Sequence, residues 1–176
     1  PSSQIACSIG GNVNENSGGV HCLKYGLTLH NVLRVRGVLM NGEIVEFGGL
    51  APDAPGLDLL AVMMGSEGML AVVTEVTVKL VAKPKLARVI MASFDDIEKG
   101  GNAVAAIIAA GIIPAGLEMM DKATTRAVEE FVHAGYDLDA EAILLCESDG
   151  TPEEVAEEIE RMTKVLEESG ASGIQI

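Results

Sequence analysis

The chain has 176 residues, of which 48% are hydrophobic, and its 12 Lys and Arg against 26 Asp and Glu give a formal net charge of −14. An acidic chain without a basic stripe argues against nucleic-acid binding, because contacts to phosphate need clustered Lys and Arg. No apolar run approaches the roughly 20 residues of a membrane span, so we expect no transmembrane segment.

The first distinctive stretch covers residues 8–26 and reads SIGGNVNENSGGVHCLKYG. Residues 5–9, at its start, form a short apolar run that predicts a strand leading into this stretch. Glycine adopts positive φ and lets other groups approach the main chain, while asparagine tolerates left-handed geometry. The stretch therefore predicts a glycine-rich loop that turns successive N–H groups toward an anionic or carbonyl-rich ligand. Composition leaves open the alternative that the loop only turns the chain.

A hairpin is predicted next, from residues 31–40 and 43–47 on either side of Asn41-Gly42. An Asn-Gly pair between β-prone runs favours a type I′ turn, in which both central residues need positive φ. Residues 48–56 contain two prolines and predict a loop. Residues 58–64 predict a short helix that Asp58 caps and Gly65 ends, and residues 70–81 are rich in Val and Thr and predict a long strand.

Lys83-Pro84-Lys85 marks the predicted domain boundary, because proline cannot donate to a sheet and restricts the residue before it. Residues 1–84 carry a net charge of −2 and residues 85–176 carry −12, which indicates two different surfaces. Beyond the boundary, strands predicted at residues 86–94, 112–120, 142–148 and 173–176 alternate with three helices. This order predicts an α+β, ferredoxin-like domain.

Helix caps support the three helices of that second domain. Asp95 with Glu98 three residues on predicts the start of a helix over residues 95–110, and Asp121 caps a second that ends near Gly135. Residues 151–154, TPEE, form a capping box with proline at the first helical position of the third, which ends at Gly170. Cys7, Cys22 and Cys146 have no C-x-x-C spacing, fit a reducing compartment and are expected to be small buried hydrophobes.

Several long motifs, in order, resemble the FAD-linked oxidases of the vanillyl-alcohol oxidase (PCMH) type, and within them the glycolate oxidase branch. They are SIGGNVNENSGG, GGVHCLKYGLT, PGLDLLAVMMGSEGML, GSEGMLAVVTEV, VKLVAKPKLARV, GLEMMDKAT and HAGYDLDAEAILLCE. The resemblance implies that residues 1–84 are the second half of a β-rich FAD-binding domain and residues 85–176 part of a cap. It also implies that the chain is a fragment, because an earlier flavin half and later substrate residues are missing.

The resemblance implies noncovalent FAD, although His21 near the flavin raises the alternative of covalent attachment. A side chain at Gly11 or Gly19 is expected to interfere with the cofactor. Glu118 is the one candidate substrate contact, and no metal motif or classical dinucleotide fingerprint occurs. The residues implied to line the FAD are Ser8, Ile9, Gly10, Gly11, Asn12, Asn16, Gly18, Gly19, Tyr25, Glu67, Gly68 and Val72.

The implied activity is FAD-dependent oxidation of a 2-hydroxy acid, with glycolate as the expected substrate and D-lactate or D-2-hydroxyglutarate as alternatives. An alternative of another class is a non-catalytic interaction module built from the cap. The resemblance implies other oxidase subunits as partners, among them an iron–sulfur subunit, and a cytoplasmic location, peripheral at the inner face of the membrane. We expect the fragment alone to be inactive, to lack bound FAD and to self-associate through exposed apolar surface.

Overall fold

The computed structural model describes residues 1–51 and 56–176. These form two compact units, Pro1–Ala82 and Lys83–Ile176, which divide two residues before the boundary predicted at residue 84. Part of the predicted loop over residues 48–56 lies outside the described residues. Each unit has its own sheet and its own hydrophobic core.

The predicted glycine-rich loop is wrong as secondary structure, because its first half is the helix α1, Ile9–Glu15. Ser8 caps this helix by accepting a hydrogen bond from the Gly11 N–H at 3.0 Å. Val13 on the same helix is fully buried, and its packing outweighs the roughly 1 kcal/mol that each helical glycine costs relative to alanine. Asn16 ends α1 in the left-handed conformation with a φ of 47°.

The segments around α1 are also helical rather than extended. The strand predicted over residues 5–9 is wrong, because Ile5 and Ala6 belong to a 3-10 helix, Gln4–Ala6, and Ile9 begins α1. Two single-turn helices follow, α2 at Cys22–Tyr25 and α3 at Thr28–Asn31. The chain thus enters its first sheet from a series of short helices.

The first unit contains a three-stranded antiparallel sheet in the order β2-β1-β3. Its strands are β1 at Val32–Val38, β2 at Ile44–Gly48 and β3 at Val72–Val78. The short helix α4, Leu59–Met63, precedes β3 and begins as predicted, with the Asp58 side chain accepting from the Ala61 N–H at 3.0 Å. Val13, Val32, Val35 and Met64 form the buried core between α1 and the sheet.

The predicted hairpin is confirmed, but its turn type is wrong. In the Asn41-Gly42 pair only Gly42 has positive φ, at 83°. The Gly42 N–H donates to the Leu39 carbonyl and the Leu39 N–H donates to the Glu43 carbonyl, each at 2.9 Å. This is the pattern of a type I turn closed by a glycine bulge, which adds one loop residue to the two-residue turn.

The second unit contains a four-stranded sheet in the order β5-β6-β4-β7, and every neighbouring pair is antiparallel. Two βαβ crossovers interleave their strands, which is the ferredoxin-like arrangement, with one extra helix between β5 and β6. The predicted α+β class is confirmed. The elements are β4 at Leu86–Phe94, α5 at Ile97–Ala109, β5 at Gly116–Asp121, α6 at Lys122–Val132, β6 at Ala142–Gly150, α7 at Pro152–Glu168 and β7 at Gly173–Gln175.

Helices α5 and α7 pack against β4 and β6 and bury the core of this unit. The central strands supply alternate residues to it, among them Ile90, Ala92 and Phe94 on β4, as the two-residue period of a strand requires. The strand predicted at residue 112 begins only at Gly116, because Pro114 has no N–H to donate to the ladder. Ile112 is nevertheless buried in the same core.

Two of the three predicted helix caps in this unit are confirmed. The Thr151 and Glu154 side chains form the capping box of α7, and Asp121 accepts from the Thr124 N–H at 2.8 Å at the start of α6. The prediction for α5 is wrong by one residue, because Asp96 is the cap and accepts from the Glu98 N–H at 2.7 Å. Asp95 instead binds Lys99 one turn on at 2.8 Å.

The loop that follows α6 is held by hydrogen bonds to the Glu129 side chain. The Glu129 carboxylate accepts hydrogen bonds from the N–H groups of Ala134, Gly135 and Tyr136 at 2.9 to 3.2 Å. The hydrogen bond from Gly135 is the largest cause of the lowered pKa of Glu129. A lowered pKa means that this contribution to stability is present above the ordinary pKa of glutamate and is lost as the pH falls through the lowered value.

We expect Glu129→Gln to accelerate amide hydrogen exchange at residues 134–136 several-fold at neutral pH, because a neutral amide offers one weaker acceptor for three donors. In the unaltered chain the same amides should lose protection as the pH falls through the lowered pKa of Glu129. Exchange measured by NMR would check both effects, with Glu130→Gln on the same helix as control. Equal protection in Glu129→Gln and in the unaltered chain would contradict this role.

Candidate functional site

The candidate site starts from the GSEG turn, residues 65–68, which connects α4 to β3. Three of its four residues have positive φ: Gly65 at 75°, Glu67 at 54° and Gly68 at 75°. Such values are unusual for glutamate, and residues held in them often mark functional loops. The Met69 N–H donates to the Ser66 carbonyl at 2.9 Å and closes the turn.

Two backbone hydrogen bonds join this turn to α1. The Gly65 N–H donates to the Val13 carbonyl at 3.0 Å, and the Glu67 N–H donates to the Asn14 carbonyl at 2.9 Å. A Cβ on Gly65 would lie 3.2 Å from the Cβ of Asn16, so the turn approaches the end of α1 closely. The structure therefore brings together the two segments that the sequence nominated separately.

The asparagines at the end of α1 hold the chain that follows. The Asn16 side-chain oxygen accepts from the Leu29 N–H at 3.0 Å, and the Ser17 hydroxyl donates to the Asn12 side-chain oxygen at 2.9 Å. The Thr28 hydroxyl donates to the Ser17 carbonyl at 2.8 Å. Asn12 and Asn16 thus position the segment between α1 and α3, and their predicted role at the cofactor stays a prediction.

A concave pocket of about 220 Å³ lies within the same unit, beside α1. Of the predicted site residues, Ile9, Asn12 and Tyr25 line it. The ring of His21 meets Tyr25 edge-on at 6.4 Å. The remaining lining residues are Pro1, Val13, Ser17, His21, Cys22, Gly26, Thr28, Asn31, Val32 and Val78.

The predicted glycines differ in how much room surrounds them. A Cβ on Gly10 or Gly68 would meet nothing within 4 Å, whereas one on Gly11 would lie 3.0 Å from the Ser8 hydroxyl oxygen. A Cβ on Gly18 would lie 3.1 Å from the Leu27 side chain, and one on Gly19 would lie 2.5 Å from the Pro1 Cα. The backbone is therefore open to a ligand at Gly10 and Gly68, while Gly11, Gly18 and Gly19 are needed for contacts within the unit.

The last two predicted residues lie outside this cluster of contacts. Val72 begins β3 and is 66% exposed. Glu118 belongs to the second unit, where it is exposed on β5 opposite Leu145 of β6. Neither has a contact that assigns it a role, and both assignments stay predictions.

Two buried polar atoms near the α1–turn junction were missed from the sequence. The Ser66 hydroxyl oxygen and the Asn14 side-chain oxygen are buried and have no hydrogen-bond partner among the described residues. Buried polar groups are normally satisfied, so these two atoms lack the partner that such groups usually have. The GSEG motif could have indicated Ser66, but the resemblance assigned only Glu67 and Gly68 of that motif to the FAD site.

The three cysteines differ in burial. Cys146 is buried in the second core, and burial raises the pKa of its thiol to about 12. The prediction of a buried cysteine is confirmed for Cys146 and wrong for Cys7, which is exposed, while Cys22 is only half-buried. Among residues 1–51 and 56–176 no group of three or more His, Cys, Asp or Glu is arranged to hold a metal ion, and no helix there is long and apolar enough to cross a membrane.

Two family models match the chain. The FAD binding domain model matches residues 1–48, and the model of the C-terminal domain of FAD linked oxidases matches residues 83–176. The chain belongs to the FAD-linked oxidases. The predicted family is confirmed, and the second match covers the whole ferredoxin-like unit of this FAD-linked oxidase.

Relatives of this chain include glycolate oxidase subunits and a D-lactate dehydrogenase. The glycolate oxidase subunit GlcD of Escherichia coli K12 is 61% identical over all 176 residues, and that of Bacillus subtilis is 43% identical over 99% of the chain. A D-lactate dehydrogenase of Anaerostipes hadrus is 33% identical over 96% of it. The chain spans 35 to 37% of the length of these relatives.

Two solved structures show the same fold at low sequence identity. The first is an alkyldihydroxyacetonephosphate synthase, which aligns with 93% of this chain at a TM-score of 0.77 and 21% identity. The aligned part is 32% of the synthase. The second is a p-cresol methylhydroxylase with substrate bound, which aligns with 99% of this chain at a TM-score of 0.78 and 16% identity. The aligned part is 39% of the hydroxylase. The predicted PCMH-type fold is therefore confirmed.

Proposed function

We propose that this chain is part of a longer FAD-dependent oxidoreductase that oxidises glycolate to glyoxylate. The observation that carries the proposal is the 61% identity to the glycolate oxidase subunit GlcD along the entire chain. When bound, FAD supplies the redox chemistry by accepting a hydride from the α-carbon of the substrate, while protein groups bind and orient. The described residues fit this cofactor, because the α1–turn junction offers open backbone beside unsatisfied buried polar atoms.

The residues proposed to hold FAD act through the main chain more than through charge. The open backbone at Gly10 and Gly68 lets the cofactor approach, and the hydrogen bonds from the GSEG turn to α1 fix the two segments in one geometry. The proposed set is Ser8, Ile9, Gly10, Gly11, Asn12, Asn16, Gly18, Gly19, Tyr25, Glu67, Gly68 and Val72.

The proposal is tested with the full-length protein. We expect purified protein to show flavin absorbance and to bleach under anaerobic conditions when glycolate is added. D-lactate and D-2-hydroxyglutarate are the comparison substrates, and faster bleaching by D-lactate would support the second candidate, which the 33% identical D-lactate dehydrogenase favours. A colourless full-length protein that takes up no FAD would overturn the proposal and favour a non-catalytic module.

We further propose that the chain works as a subunit beside an iron–sulfur subunit, in the cytoplasm or at the inner face of the membrane. The naming of its GlcD relatives as glycolate oxidase subunits supports the subunit role. Self-association of the isolated chain is proposed from its first unit, where Ile5, Met40, Leu50, Leu57 and Leu80 are at least 80% exposed. Light scattering of the isolated chain tests this, and a strictly monomeric species would contradict it.

A further inference from the structure

Helix α5 exposes an apolar strip that the core of its own unit does not use. Ile97 and Ile108, near its two ends, are 51% and 44% exposed, and Gly101 and Ala105 between them are also exposed. These four residues follow one another at intervals of four, four and three, so they lie along one side of the helix. The buried residues of α5 lie on another side, where they face the sheet.

Gly101 is the residue of the strip that the fold does not explain. A glycine inside a helix destabilises it relative to alanine. At the neighbouring Gly100 the packing requires one, because a Cβ there would lie 3.3 Å from the Met119 sulfur and from the Ala142 Cβ. A Cβ on Gly101 would meet nothing within 4 Å, so no described contact requires a glycine at this position. An exposed helix surface without a side chain lets a second helix approach closely.

The distribution of charge in the unit indicates what covers the strip. Residues 85–176 carry a net charge of −12, and seven of the 17 residues of α7 are glutamates. Residues 100–117, in contrast, contain no charged side chain, and the charges of α5 are confined to Glu98 and Lys99 in its first turn. Like charges repel, so α5 is the helix of this unit that a second, equally acidic copy approaches with the least repulsion.

We propose that the full-length protein forms a two-fold symmetric dimer in which α5 of one copy packs against α5 of a second copy. In such a dimer residue i contacts residue j and j contacts i. An antiparallel crossing centred between Gly101 and Ala105 brings each of these small residues against the other and lets the helix axes approach. Ile97 then lies against Ile108 on both sides of the crossing and buries apolar surface. This surface belongs to the second unit, and the inference does not depend on the proposed function.

The test is sedimentation velocity on the full-length protein over a range of concentrations, with the variant Ala105→Glu. A strip one helix long buries less surface than a standard interface, so the unaltered dimer should dissociate on dilution. Ala105→Glu should raise the dissociation constant of the dimer about tenfold or more, because it brings two carboxylates into an apolar contact. Glutamate favours helices and Ala105 is exposed, so the thermal midpoint of the variant should be that of the unaltered protein.

Ala156→Glu is the matched control, because Ala156 is an exposed alanine on α7 and receives the same substitution. Its dimer should dissociate at the same concentration as that of the unaltered protein. Added NaCl should tighten the unaltered dimer, because salt screens the repulsion between two acidic units and leaves the apolar contact in place. A full-length protein that stays monomeric at every concentration, a dimer that Ala105→Glu leaves unchanged, or a dimer that salt dissociates would overturn the proposal.

Discussion

Gly65→Val is expected to lower the affinity of the full-length protein for FAD by about a hundredfold or more. Gly65 has a φ of 75°, and a Cβ there would lie 3.2 Å from the Cβ of Asn16. A β-branched residue is strained in that conformation by roughly 1–3 kcal/mol, and the crowded Asn16 prevents it from relaxing in place. The turn would then lose its hydrogen bond from Gly65 to Val13, worth about 1 kcal/mol more, and with it the geometry proposed to face the cofactor.

The measurement is flavin retention through gel filtration, followed by the Kd for FAD from fluorescence titration of the apoprotein. Gly42→Val is the matched control, because Gly42 has a φ of 83° at the hairpin tip and a Cβ there meets nothing within 4 Å. Both variants carry a strained valine, but only Gly65→Val disturbs the junction with α1. Normal FAD stoichiometry in Gly65→Val would show that the junction does not hold the cofactor.

The second unit was largely predictable because its signals are local. The capping box at Thr151 and the cap at Asp121 were read directly from residue spacing, and the predicted bounds of β4 are those observed, Leu86–Phe94. Local signals did not show which of two adjacent aspartates caps α5. Asp95 and Asp96 are both able to cap α5, and the choice of Asp96 follows from the pairing of Asp95 with Lys99.

The first unit was predicted less well because its helix α1 depends on tertiary contacts. Two consecutive glycines and two asparagines within α1 disfavour a helix by propensity, yet the segment is helical and its Val13 is fully buried against the sheet. The contact between α1 and the GSEG turn joins residues about fifty positions apart, and no periodicity reports it. The resemblance named residues of both segments as lining the FAD, whereas the contact between them and the buried Ser66 and Asn14 atoms are seen only in the structure.

Leu144→Ala is expected to destabilise the second unit by about 3 kcal/mol, within the range for a large core residue cut to alanine. Leu144 is fully buried at the centre of β6, where it is opposite Ala92 of β4 and Met119 of β5. Its strand is hydrogen-bonded on both sides, so the backbone is unable to move in to fill the space. Ala92 is too small to fill it, and the cavity should therefore persist.

Hydrogen exchange with mass spectrometry reports on each unit separately, which suits a chain with no tryptophan and one tyrosine in each unit. The slowest amides of β4 and β6 should exchange about a hundredfold faster in Leu144→Ala, because each 1.4 kcal/mol is a factor of ten. Leu138→Ala is the control, since Leu138 is already 42% exposed and should change these rates less than threefold or so. Unchanged protection of β6 would mean that its neighbours collapse into the space, and the close packing inferred between the sheet, α5 and α7 would then be wrong.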